Sequence, residues 1–176
     1  MEWISELPLI TRDYHEAFGE LSEAQLNWKP SADRWSVGQG IDHVITTNTA
    51  YFPIFAGIKA GTYQPHFNAR FGFLANSFGK MILSSVQPEA TRKNKTFPPF
   101  ESSQSTIPGD IVAKFAAHQA QLAREIEGAQ GFLDRVVSSP ANRMVVLLVD
   151  RVFDIIVAHE RRHLLQAKAV LEQTTP

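Results

Sequence analysis

Six histidines stand out in a chain of 176 residues: His15, His43, His66, His118, His159 and His163. Two of them, His159 and His163, are four apart. On a helix that spacing stacks both imidazoles on one face, with Cβ atoms ~5–6 Å apart, close enough to share a metal ion. At ~100° per residue, Leu148, Val152, Ile155, Ile156, His159, His163, Gln166 and Val170 fall on one stripe. Arg161 and Lys168 point the other way. The pair therefore continues an apolar stripe and faces the interior. Two readings follow: core histidines bonded to backbone, water or each other, or two ligands of one metal. His43 lies on the line Gln39–His43–Thr47–Ala50 of an earlier helix. Alone it reads as a satisfied core histidine. With the pair it would give three neutral imidazoles and leave coordination positions open, as in a catalytic rather than a closed structural site.

The run His159-Glu160-Arg161-Arg162-His163 also satisfies the His-Glu-x-x-His pattern of zinc peptidases. That reading needs a third ligand downstream, and none of the 13 residues after His163 is a histidine. His118 shares a helical line with Phe115 and Leu122 and reads as core. His15 and His66 read as surface or packing residues. Glu160, Asp42 and Tyr51 are candidates for a general base. Arg162, at the edge of the stripe, is a solvated face residue or a guide for an anionic substrate.

The composition narrows the chemistry. There is no cysteine. That excludes disulfides, thiolate-held zinc, iron–sulfur clusters and a cysteine nucleophile, and it fits a cytoplasmic setting. Seventeen basic and eighteen acidic residues leave a net charge of −1. No strong field exists to attract nucleic acid or an anionic membrane, so those partners are not expected; the expected partner is a small-molecule substrate. At 44% hydrophobic and 20% charged residues the chain is globular, and its length suits a single domain over residues 1–176. No signal peptide is expected at Met1–Glu6, and no apolar run reaches the ~20 residues that span a bilayer.

The elements that must hold these residues are helical. Leu7, Ile10, Tyr14, Ala17 and Phe18 predict a first helix from about Trp3 to Phe18. A polar connector follows. Ser36 and Gln39 form a capping-box signature that opens a second helix. It is predicted to run to about Ala60, kinked at Pro53 and stopped by Gly61. Phe67, Phe71, Leu74, Phe78 and Ile82 predict a shorter helix near 68–85. Pro88, Pro98 and Pro99 predict a loop over 87–105. A third main helix is predicted from Pro108 to about Gly128. The fourth is predicted from Ser139-Pro140, read as a serine cap with proline at the first helical position, to about Glu172. The sum is an all-α four-helix bundle with a short accessory helix and a long loop between the second and third main helices. The aromatics crowded into 52–78 are core, or in part an apolar substrate mouth or homodimer face.

The segment Trp28-Lys29-Pro30, then Arg34-Trp35-Ser36-Val37-Gly38-Gln39 and Asp42-His43-Val44, resembles the DinB superfamily when joined to His159-Glu160-Arg161-Arg162-His163-Leu164-Leu165-Gln166. The similarity covers most of the chain and is weakest over 61–103. The resemblance implies a DinB/YfiT-type bundle with a divalent metal held by His43, His159 and His163. It also implies kinship to transferases and isomerases that use bacillithiol, mycothiol or glutathione. Zinc is the first expectation for the metal, with nickel and ferrous iron as alternatives, since imidazole suits all three. The expected chemistry is metal activation of a low-molecular-weight thiol or of water, in a transferase or hydrolase. The competing expectation is a non-catalytic, stress-related metal-binding bundle.

Overall fold

The computed structural model describes residues 2–89, 100 and 106–173. Its elements in chain order are α1 (Glu2–Phe18), α2 (Glu23–Asn27), α3 (Val37–Thr49), α4 (Phe52–Lys59), α5 (Gly72–Ser85), α6 (Ile111–Gly128), the strands β1 (Val136–Ser138) and β2 (Val146–Leu148), and α7 (Val149–Leu171). The helices α1, α3, α6 and α7 form the bundle: α1 and α3 each pack on both α6 and α7. Leu7, Ile10, Tyr14 and Phe18, spaced by three and four, supply the buried stripe of α1. The seam between α1 and α7 is tied by Trp3 Nε1–H to Asp154 at 2.8 Å and by an Arg161–Glu6 ion pair.

The second bundle helix begins where its cap predicts. Ser36 Oγ accepts the Gln39 N–H at 3.2 Å, and Gln39 Oε1 accepts the Ser36 N–H at 3.3 Å. The same device, Ser22 with Gln25, opens α2 inside the segment read as connector. The helix predicted to run on to Ala60 is two helices instead. It stops at Thr49, turns through Ala50–Tyr51, and restarts as α4 with Pro53 in the first turn. Proline has no N–H to give to a continuing helix but suits the opening of a new one. Gly61, at φ +68°, follows the end of α4 in the left-handed conformation that glycine adopts without a Cβ clash. The accessory helix is α5, preceded by a 3-10 turn over Phe67–Arg70. From residue 90 onward, residue 100 apart, the predicted loop 87–105 lies outside the described residues.

The start of the fourth bundle helix is corrected. Ser139-Pro140 opens no helix, and α7 begins ten residues later at Val149. The intervening chain is an antiparallel hairpin in which Val136 pairs with Leu148, Val137 with Leu147 and Ser138 with Val146. Ser139 closes the hairpin by giving its N–H to Val145 O at 2.8 Å. Its Oγ accepts the Ala141 N–H, and Asn142 Oδ1 accepts the Met144 N–H. These side chains satisfy a turn rather than a helix terminus. Val137, Val146 and Leu147 are buried, and β2 packs on α5.

The core divides into two apolar clusters. One gathers Leu7, Phe52, Phe55, Leu122, Phe153 and Ile156. The other gathers Ile10, Tyr14, Ile41, Val44, Phe115 and Leu164. Between them runs a polar layer: Asn48 lies between Val44 of α3 and Phe52 at the start of α4, Gln119 between Phe115 and Leu122 on α6, and Glu160 between Ile156 and Leu164 on α7. All three are buried. Among the described residues no helix is long and apolar enough to cross a membrane.

Two glycines of α3 separate packing from propensity. A Cβ on Gly38 would stand 2.9 Å from Ile107 Cβ and 3.1 Å from the Leu26 carbonyl, whereas one on Gly40 would meet nothing within 4 Å. Gly38→Ala is expected to cost ~1–3 kcal/mol through overpacking. Gly40→Ala is expected to gain about 0.5–1 kcal/mol from the helix-interior preference. Urea unfolding of both variants should show midpoints displaced in opposite directions.

Candidate metal centre

The helix α7 carries His159 and His163 one turn apart, and α3 packs against it and carries His43. The three rings converge. His43 Nε2 lies 3.2 Å from His159 Nε2, which lies 3.0 Å from His163 Nε2. One ligand nitrogen from each ring falls within 4.8 Å of the others. Four ligands ~2.0–2.1 Å from a tetrahedral ion stand roughly 3.3–3.4 Å from each other. The two short separations are close to that spacing. This group could hold a divalent metal.

The electrostatics suit the same use. Burial depresses the pKa of all three histidines. That of His159 falls to about 3, with His43 and Arg162 adding to the effect of burial. Burial, then His159, His43 and Arg162, hold His163 well below its ordinary value. His43 is also lowered by burial, against the opposing pull of the Phe100 carbonyl and Asp42. All three are neutral near pH 7 and keep the lone pairs that a metal needs. His43 is 4% exposed, and its Nδ1 bonds the Phe100 carbonyl. A carbonyl only accepts, so Nδ1 carries the proton and Nε2 presents its lone pair to the other two rings.

The indole of Trp35 forms a wall of the site. Its centroid is 4.9 Å from that of His43 and 6.4 Å from that of His163, nearly parallel to the latter. A cleft of about 40 Å³ opens beside His163, lined by Trp35, Ser36, Gly40, Gln166, Ala167 and Val170. A larger groove of about 360 Å³ involves Trp3, Leu83, Asp154 and Arg161. By helical geometry it lies on the opposite side of α7 from the histidines.

The remaining candidates are placed as follows. Asp42 precedes His43 on α3, and its charge acts on that ring. Arg162 gives an Nη1 hydrogen bond to Gln87 O at 3.0 Å, and its charge is felt by His159 and His163. Tyr51 sits in the apolar cluster beyond the polar layer, stacked on Phe55. Its pKa is pushed up to about 12 by burial, against a hydrogen bond with Ser139. Glu160 is wholly buried. Its oxygens accept Asn48 Nδ2–H at 2.7 Å and Gln119 Nε2–H at 2.9 Å. Burial raises its pKa to about 7, moderated by those two bonds and by Arg161. His118 is core, stacked on Phe52 at 5.4 Å. His15 is exposed, and His66 packs on Phe67 and accepts the Asn68 N–H. Sequence reasoning missed Phe100 and the Asn48–Gln119 pair. A backbone carbonyl leaves no trace in residue type. The two amides do leave one, as polar residues close to otherwise apolar inner lines.

A model of the DinB superfamily matches residues 7–167. The chain belongs to the DinB superfamily. The match spans all four bundle helices and both ends of the histidine group, in agreement with the resemblance carried by the Trp35–His43 and His159–His163 segments. Family membership and the convergence of His43, His159 and His163 support one another as signs of a metal site. No curated protein and no solved structure is significantly similar to the chain.

Burial of His118 gives a pH dependence apart from the metal. Its pKa in the fold is about 4, well below the ordinary ~6.5, and burial is the cause. Between those values the unfolded chain binds a proton that the folded chain refuses, so stability falls as pH drops from 6.5 to 4. Its Nε2 is buried with no hydrogen-bond partner among the described residues. His118→Leu should therefore flatten the acid side of the stability profile by about one proton. Urea unfolding of metal-stripped protein at pH 7, 5.5 and 4.5 measures this, and parallel profiles for variant and wild type would contradict it.

Proposed function

We propose that the protein is a metal-dependent enzyme that activates a low-molecular-weight thiol, or water, as a nucleophile at His43, His159 and His163. The observation that carries the reading is the meeting of three neutral Nε2 atoms from two helices. Three histidines with positions to spare are the donor set of catalytic zinc. Zinc is the first choice on that ground, with nickel and ferrous iron as alternatives. A divalent ion bound there would lower the pKa of an incoming thiol or water to near neutrality.

The chain's own residues supply the rest. His43 holds its orientation through the Phe100 carbonyl. Trp35 covers two of the rings and restricts water. Arg162 places positive charge near His159 and His163, which favours an anionic thiol. With no cysteine in the chain, the sulfur must come from outside. Asp42 is the candidate for proton transfer at the rim. Glu160 has both oxygens engaged and Tyr51 lies beyond the polar layer, so both are poorly placed for that role.

Protein purified without a histidine tag is expected to carry about one divalent ion per chain. His163→Ala should weaken metal binding by more than roughly 100-fold, beyond the 10–100-fold typical of outer-shell changes. His118→Leu should leave metal content as in wild type. In cobalt-substituted protein, bacillithiol, mycothiol or glutathione should alter the visible spectrum and be conjugated to an electrophile only when metal is present. Metal loss in the His118 variant with retention in the His163 variant would refute the ligand assignment. Metal binding without response to any of the three thiols would move the reading to hydrolysis or to metal binding without turnover.

A further inference from the structure

One residue ties the four bundle helices together. Glu160 on α7 accepts Asn48 of α3 on one carboxylate oxygen at 2.7 Å and Gln119 of α6 on the other at 2.9 Å. Its backbone carbonyl accepts the Tyr14 hydroxyl of α1 at 2.9 Å. All four residues are buried. Glu160 directly follows His159 and stands three residues before His163.

A helix that packs only through an apolar stripe can rotate by several degrees at little energetic cost, because dispersion contacts are not directional. A side chain atom lies ~5–6 Å from the helix axis, so a 10° rotation moves it by ~1 Å. Metal–ligand distances tolerate only about 0.2 Å. Packing of Val152, Ile156 and Leu164 alone would not aim two imidazoles that finely. Two hydrogen bonds from two different helices to the two oxygens of one carboxylate would, since hydrogen bonds weaken steeply with angle. The carboxylate leaves the helix ~100° from His159, so its anchorage sets the direction in which both histidines point.

We propose that Glu160 is the positioning residue of the metal centre: held by Asn48 and Gln119, it fixes the rotation of α7 that turns His159 and His163 towards His43. This rests on the metal reading above. It gives the glutamate of the His-Glu-x-x-His run a task quite unlike that of a peptidase base.

The buried amides also specify a rescue. Asn48 Oδ1 and Gln119 Oε1 have no hydrogen-bond partner among the described residues. In Glu160→Gln, one of them can turn to accept from the new amide while the other still donates to its oxygen. Both ties survive. In Glu160→Leu neither does.

The test is cobalt titration of the full-length, metal-stripped protein, read by the visible spectrum and by competition with a chelator, at a temperature where circular dichroism shows each variant folded. Wild type and Glu160→Gln are expected to share bands and affinity. Glu160→Leu is expected to lose about 10–100-fold in affinity, as when outer-shell support is removed, and to show shifted bands. Should Glu160→Leu fail to fold, Gln119→Ala and Asn48→Ala, which each leave one tie, decide by the same readout. A folded set of variants with wild-type affinity and bands overturns this inference alone. A wild type that binds no cobalt overturns the metal reading and this inference together.

Discussion

The burial of one carboxylate in the middle of the bundle is the constraint on which the rest depends. Removing a carboxylate from water costs several kcal/mol, and the cost is met only by well-aligned donors. Here they are the amides of Asn48 and Gln119, from two different helices. An apolar residue at 160 would demand nothing of its neighbours. A carboxylate demands that α3, α6 and α7 hold one mutual register, because any slip leaves it unpaired. The apolar clusters on either side supply the bulk of the stabilisation, and the layer between them selects one arrangement among many of similar apolar burial.

That register determines the electrostatics of the histidine group. The three rings are close enough that a proton on one is repelled by the next, and burial raises the cost further. The site is therefore a store of unused lone pairs rather than of positive charge. Arg162 reinforces this by opposing protonation of His159 and His163. The same positive field favours an anion arriving from outside. Phe100 adds the one directional element that electrostatics cannot, by fixing which nitrogen of His43 faces inward.

Much of this arrangement was legible in the residues. The Ser36–Gln39 box marked the start of α3, the stripe of α1 marked its buried face, and the four-residue spacing of His159 and His163 marked a shared site. The Ser22–Gln25 box was equally legible and marks α2. The hairpin before α7 was not. Its strands are three residues long, too short for alternation to emerge, and Val145–Val149 is a continuous apolar run that periodicity assigns to helix as readily as to strand. Ser139-Pro140 misled for a related reason: serine and proline serve a turn as well as a helix start. The role of Glu160 was out of reach because a helical wheel gives the direction of a side chain and not what meets it, and Asn48 lies 112 residues away. Family resemblance pointed to the three histidines but is silent on the amides.

The histidine group is assembled from places far apart in the chain. His43 and His159 are separated by 116 residues. Closing a loop of that length costs entropy that local helix formation does not recover, so the group exists only once α3 has packed against α7. A ribosome-bound chain with α3 formed but α7 still unmade offers only one imidazole of the group, His43, too little to hold an ion at this site. Metal capture at this group would thereby be confined to chains whose synthesis has delivered α7 and whose bundle has closed. An ion bound only by that state draws the folding equilibrium towards it by mass action. Metal supply in the cell would then set how much of the protein survives quality control, as well as how much of it is loaded.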